Sequence, residues 1–140
     1  MAWASEKIDP RQVRLITSTA GTSTCIGNPV SPVCAVETFL ACIARNDREL
    51  CNRVGVLDIN ALGRPGGISY KILSVKQIRA ADVPKSLGDT EWMKPGNVRV
   101  EVLDLSVMFP WCPHGCRSEI FVKPVAQGWH IVDWATEGVD

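Results

Sequence analysis

Residues 31–47 read SPVCAVETFLACIARND, and they open with the grammar of a helix start. Ser31 is a good N-cap, and Pro32 suits the first helical position, where a missing N–H costs nothing. Val36, Phe39, Leu40 and Ile43 then recur at helical spacing and form one apolar stripe. Asn46-Asp47 breaks the run. Asp47 can cap a second, shorter helix through Val54, with Gly55 as its stop.

Downstream the period changes. A Gly/Pro-rich connection covers residues 60–67. Ile68, Tyr70 and Ile72 then alternate with polar residues, followed by Val75 and Ile78, which predicts a strand. Residues 82–96 read as a loop or edge excursion. Asn97 to Phe109 is the strongest strand signal. Its early apolar residues are even-numbered (Val98, Val100, Val102) and its later ones odd (Leu103, Leu105, Val107, Phe109). That parity switch predicts a β-bulge near 102–104. Pro110 to Cys116 reads as a turn, Arg117 to Lys123 as the return strand, Ala126 to Gly128 as a tight turn, and Trp129 to Trp134 as the last strand.

Upstream, residues 1–30 read as an arm, mostly loop. It carries a short helical patch from Asp9 to Ile16 and a Thr/Ser/Gly-rich stretch from Thr17 to Asn28. The fold class is therefore α+β: N-terminal helices packed on a curved antiparallel sheet, with residues 31–140 as a single domain.

Composition excludes several function classes. The 140 residues suit one core, and 46% hydrophobic with 21% charged content is that of a folded domain. Fifteen Lys plus Arg balance fifteen Asp plus Glu, so no basic excess points to nucleic acid. No apolar run approaches the roughly 18 residues of a membrane-spanning helix. Six cysteines fall as close pairs: Cys25 with Cys34, Cys42 with Cys51, and Cys112 with Cys116. An even count at short spacing reads as a disulfide framework, which persists outside the reducing cytosol. Local pairing is the simplest of about 15 possible connectivities. Ala2-Trp3-Ala4 fits the A-x-A pattern of a signal-peptidase site with Ser5 as first mature residue. Together these place the protein in the periplasm or outside the cell.

The capped helix Pro32–Leu40 leading into Asn46–Leu50, the strand Tyr70–Val75 and the closing Gly128–Asp133 resemble the nuclear-transport-factor-2-like superfamily, over residues 31–136. The resemblance implies a cone-shaped α+β fold. It also implies a choice among ketosteroid-isomerase-like or dehydratase-like enzymes and non-catalytic binding or assembly domains, some in periplasmic complexes. A homodimer is implied by resemblance only.

Candidate chemistry is sparse. Cys112-Pro-His-Gly-Cys116 is similar to the Cys-Pro-His-Cys string of thioredoxin-like oxidants with one residue inserted. The residues after it read as a strand, so no helix N-terminus lowers a thiol pKa there. A structural hairpin disulfide is the favoured reading, ahead of redox chemistry or a metal held by Cys112, His114 and Cys116. Asp104 interrupts the run Leu103–Leu105 and would serve as a general base if it faced a dry pocket; strand alternation favours a solvent-facing carboxylate instead. Tyr70 would donate to an oxyanion in that pocket; a surface hydroxyl is the plainer expectation. His130 and Asp133 are three apart on one strand and meet only if a bulge intervenes. Trp111, between prolines at a hairpin tip, is a candidate binding residue. No cofactor and no metal is expected. The reading is a binding or assembly domain for an unknown protein or a small apolar ligand, with a pocket-carboxylate enzyme as the alternative.

Overall fold

The computed structural model describes residues 6–57, 67–87, 90–105 and 115–138. The signal-peptidase pattern at Ala2–Ala4, Trp111, Cys112, His114 and the far end of the 97–109 strand lie outside them.

Helix α1 spans Pro32–Arg45. The Ser31 hydroxyl accepts from the Cys34 amide at 3.1 Å, and a carboxylate oxygen of Glu6 accepts from the Val33 amide at 2.9 Å. Two of the orphan amides of the first turn are thus satisfied, one by a negative charge where the helix dipole favours it. Asn46 ends the helix in the left-handed region, at φ 48°. Asp47 caps α2, Arg48–Arg53, accepting from the Glu49 and Leu50 amides at 3.0 and 3.3 Å. The two helices and their break stand where the sequence puts them.

Among the described residues, five strands form one antiparallel sheet in chain order: β1 (Arg14–Ile16), β2 (Ile68–Gln77), β3 (Val98–Asp104), β4 (Cys116–Val125) and β5 (Gly128–Gly138). Successive strands pair: β2 to β5 follow one another as a meander, and both helices lie in the connection between β1 and β2. Two short 3-10 turns, Ala80–Asp82 and Lys85–Leu87, fill the excursion between β2 and β3.

The N-terminal region departs from the sequence reading. Residues Asp9 to Ile16 are not helical. Asp9 forms a turn with the Arg11 and Gln12 amides, and Arg14–Ile16 pairs with Tyr70–Ile68. The physical reason is alternation: Leu15 faces solvent while Ile16 is fully buried, a period of two that a helix would not give.

The bulge also moves. Ile72 pairs with Val102 and Ser74 with Glu101, so the extra residue is Leu73 on β2, opposite the expected level but on the neighbouring strand. β3 itself keeps its even residues on one face through Val102. A second shift, between Phe121 and Val122, leaves Val132 of β5 unpaired. β5 outruns its expected end at Trp134, because pairing continues from Ser118–Thr136 to Cys116–Gly138.

The core lies between α1 and one sheet face. Val36 and Phe39 meet Ile72, Val98, Val100, Val102, Ile120 and Val122, all fully or almost fully buried. Each such side chain contributes about 1.5–3 kcal/mol of transfer free energy. Trp134 shields the rim, with its ring centroid 5.0 Å from that of Phe39.

Two disulfides pair as the local spacing suggests: Cys25–Cys34, with Cα atoms 5.5 Å apart, and Cys42–Cys51, with Cα atoms 5.1 Å apart. The first ties the N-terminal loop to α1, and the second joins α1 to α2 across their break. Cys116 is also disulfide-bonded; Cys112, its expected partner, lies outside the described residues.

The turn into β5 is unusually close. Gly128 has φ +142°, and a Cβ there would stand 2.2 Å from the Pro29 carbonyl oxygen, which accepts from the Trp129 amide at 3.0 Å. Gly128→Ala must push the hairpin off that loop. It is expected to cost about 2 kcal/mol or more, read by urea unfolding; a change below about 0.5 kcal/mol would contradict this packing.

Candidate functional site

Glu37 sits in the middle of α1, one helical turn beyond Val33 and one before Ala41, on a buried strip. It is 1% exposed and is the only charged residue in the buried set among the described residues. An isolated carboxylate there would be prohibitively desolvated. Two strands supply its partners. Arg14 Nη1 on β1 donates to Glu37 Oε2 at 3.1 Å and Oε1 at 3.3 Å. The Tyr70 hydroxyl on β2 donates to Oε2 in a short bond. Arg14 and Tyr70 are cross-strand partners, so β1–β2 pairing itself aims both groups at the helix.

The electrostatics agree with a locked arrangement. Burial pushes the Tyr70 hydroxyl well above the usual phenol range, and the charge of Glu37 and its hydrogen bond push it further; Arg14 pulls weakly the other way. Tyr70 therefore stays protonated and keeps donating. Glu37 holds one cation and one neutral donor in charge-assisted bonds, the strong kind. A cleft of about 310 Å³ opens beside the network, between residues 6–14, the Cys25–Cys34 loop and the start of α1.

Both helices hold the rest of the N-terminal segment through polar contacts. Thr38 Oγ1 donates to the Cys34 carbonyl at 2.7 Å and accepts from the Gly27 amide at 3.0 Å. Arg45 donates to the Thr17 and Ala20 carbonyls at 2.8 and 3.1 Å, and Arg53 to the Gly27 carbonyl at 2.9 Å. A loop with little apolar surface is thus docked by hydrogen bonds as well as by its disulfide.

The structure places the sequence candidates unevenly. Tyr70 is fully buried rather than a surface hydroxyl, because its side chain shares the face of Ile68 and Ile72. Asp104 is half-buried and pairs across strands with Tyr70 and with Cys116. It therefore stands on the helix-facing side of the sheet, at its end, and not on the solvent face that simple alternation favoured. The break in parity after Val102 suggested a flip, and β3 has none before Asp104. Tyr70 and Asp104 are thus brought into one cross-strand row.

The extra residue Val132 does put His130 and Asp133 on one side of β5, as their partners Lys123 and Phe121 show. Yet the Asp133 carboxylate accepts from the Trp134 amide at 2.9 Å, and the His130 ring packs against Gly55, so no dyad forms. Among the described residues, no group of three or more His, Cys, Asp or Glu is arranged to hold a metal.

Sequence reasoning missed Arg14 and Glu37. The signal for Glu37 was present: it lies in phase with Val33 and Ala41, a charge on an otherwise apolar strip. Arg14 had no such signal, since three residues of strand are too few for a period. Comparison with family models, curated proteins and solved structures finds no match to this chain.

Proposed function

We propose that this chain is an extracytoplasmic, non-catalytic binding or assembly domain of the nuclear-transport-factor-2-like kind, with its sheet curved around α1 as in that cone-shaped fold. The observation that carries the reading is the engagement of Glu37 by Arg14 and Tyr70. The one buried carboxylate among the described residues accepts from Arg14 and Tyr70 on the two neighbouring strands, which supports a structural role for it over one in moving a substrate proton. Its work is to join β1, α1 and β2. The disulfides support a setting where thiols oxidise, and two of them staple loop to helix and helix to helix. The partner on this reading is a protein or a small apolar ligand.

One observation favours the alternative, a small isomerase or dehydratase. The cross-strand row of Tyr70 and Asp104 sets a carboxylate beside a protonated phenol. A simple enolisable ketone distinguishes the two. Cyclohexanone in heavy water, followed by NMR, is expected to exchange its α-protons no faster with the protein than with buffer alone. Faster exchange that is abolished by Asp104→Asn would overturn the non-catalytic reading. The location is tested separately by trapping thiols in intact cells with a bulky maleimide. No cysteine is expected to react before reduction; ready labelling of Cys25, Cys34, Cys42 or Cys51 would contradict an oxidising compartment.

A further inference from the structure

On the sheet face away from α1, Lys76 of β2 stands directly opposite Arg99 of β3. Two cations facing each other across a strand pair repel and cost stability unless something answers their charge. The next pair along shows how this chain answers such a conflict. Glu101 faces Glu119, and Arg117 neutralises Glu101 through an ion pair of 2.9 Å. Lys76 and Arg99 have no such partner among the described residues. Arg79 adds a third cation at the same place. Its own carboxylate partner, Asp82, is held below its usual range by the Arg79 backbone and side chain, with a smaller pull from Arg99. The local balance is three positive charges to one negative in a chain of zero net charge.

These groups line a cleft of about 590 Å³ whose remaining walls include Val75, Ile78 and Met93. The far wall is built rather than loose. Buried Asn97 donates from Nδ2 to the Glu91 and Trp92 carbonyls at 2.8 and 3.2 Å, and the Ile78 amide donates to the Asn97 carbonyl at 2.7 Å. The segment carrying Met93 is thereby fixed over the sheet. Ile78 is 7% exposed and Met93 half-buried, so an apolar surface adjoins the cations.

We propose that this cleft binds a phosphomonoester whose organic part is apolar. The dianion supplies the charge missing between Lys76 and Arg99, the planar fork of Arg99 suits two phosphate oxygens, and the apolar part lies against Ile78 and Met93. The proposal stands on this cleft alone and holds for a binding domain or an enzyme.

Titration calorimetry of the full chain at low ionic strength, with inorganic phosphate and with phenyl phosphate, tests it. Phenyl phosphate is expected to bind saturably and more tightly than inorganic phosphate. Lys76→Gln and Arg99→Gln are each expected to weaken it about tenfold. Arg48→Gln, the same charge change at an exposed site on α2, is expected to leave it unaltered. Lys76→Gln is also expected to raise the melting temperature of the free protein, since it removes the cross-strand repulsion, so weaker binding is not misfolding. Vesicles containing phosphatidic acid form the last arm: binding to them that Arg99→Gln abolishes identifies a lipid headgroup as the source, and binding of phenyl phosphate alone identifies a soluble one. Absence of saturable binding in every arm, or an equal loss in Arg48→Gln, would overturn the proposal.

Discussion

Glu37→Ala is expected to destabilise the protein by about 3 kcal/mol. Removing one member of a buried ion pair costs about 3–5 kcal/mol, because the other charge is left without compensation. The lower end applies here, since Arg14 is 20% exposed and can recover part of its hydration. The loss also orphans the Tyr70 hydroxyl, which has no water to turn to at zero exposure. The melting temperature is expected to fall by about 10 °C for a chain of this size. Tyr70→Phe deletes one donor and leaves Arg14 in place, so about 1–2 kcal/mol is expected. Urea unfolding of the three proteins checks the order: wild type most stable, Tyr70→Phe next, Glu37→Ala least. A Glu37→Ala protein within about 1 kcal/mol of wild type would mean that the network holds nothing.

Reduction of the disulfides is expected to have the larger effect. Each of the two described bridges spans nine residues of sequence. Closing so short a loop in the unfolded chain is worth roughly 2–3 kcal/mol, or about 5 kcal/mol for both. That is comparable with the whole margin of a marginally stable domain. The fully reduced protein, verified by thiol counting, is expected to melt at least about 15 °C lower. Paired variants separate the contributions. Cys42→Ala with Cys51→Ala loosens the joint between α1 and α2, at two fully buried positions, and carries the greater cost. Cys25→Ala with Cys34→Ala frees a loop that Thr38 and Arg53 still hold by hydrogen bonds, so it costs less. A reduced protein melting within about 3 °C of the oxidised one would contradict the staple reading.

The parts of this fold that were legible in the sequence are those governed by local rules. Ser31, Pro32 and Asp47 act where capping chemistry needs them, and Gly55 follows α2 at φ +77°. The alternation of β2 and of early β3 gave both strands and their buried face. Short cysteine spacing gave the two pairings that the structure describes.

What escaped depends on contacts distant in sequence. β1 is three residues long and exists because β2 pairs with it; on its own Arg14–Ile16 has no period to read. The bulge was placed on the wrong strand because a register shift belongs to a pair of strands, and one sequence cannot say which partner carries the extra residue. Asp104 followed the same error to the wrong face. The buried triad was the hardest part. Arg14, Glu37 and Tyr70 are separated by 23 and 33 residues, and only the assembled sheet brings them together. Of the three, only Tyr70 was a candidate from the sequence; Glu37 carried an unread signal, a charge in phase with apolar neighbours.

On this structure Arg14 and Glu37 form one unit, and the carboxylate serves to hold the chain together. A double-mutant cycle with Arg14→Met and Glu37→Gln, read by urea unfolding, tests it most directly. Each single substitution is expected to be costly, and the pair together to cost less than their sum by about 1.5 kcal/mol or more, because removing both charges leaves neither unpaired. Costs that add to within about 0.5 kcal/mol would show two independent side chains and contradict the claim.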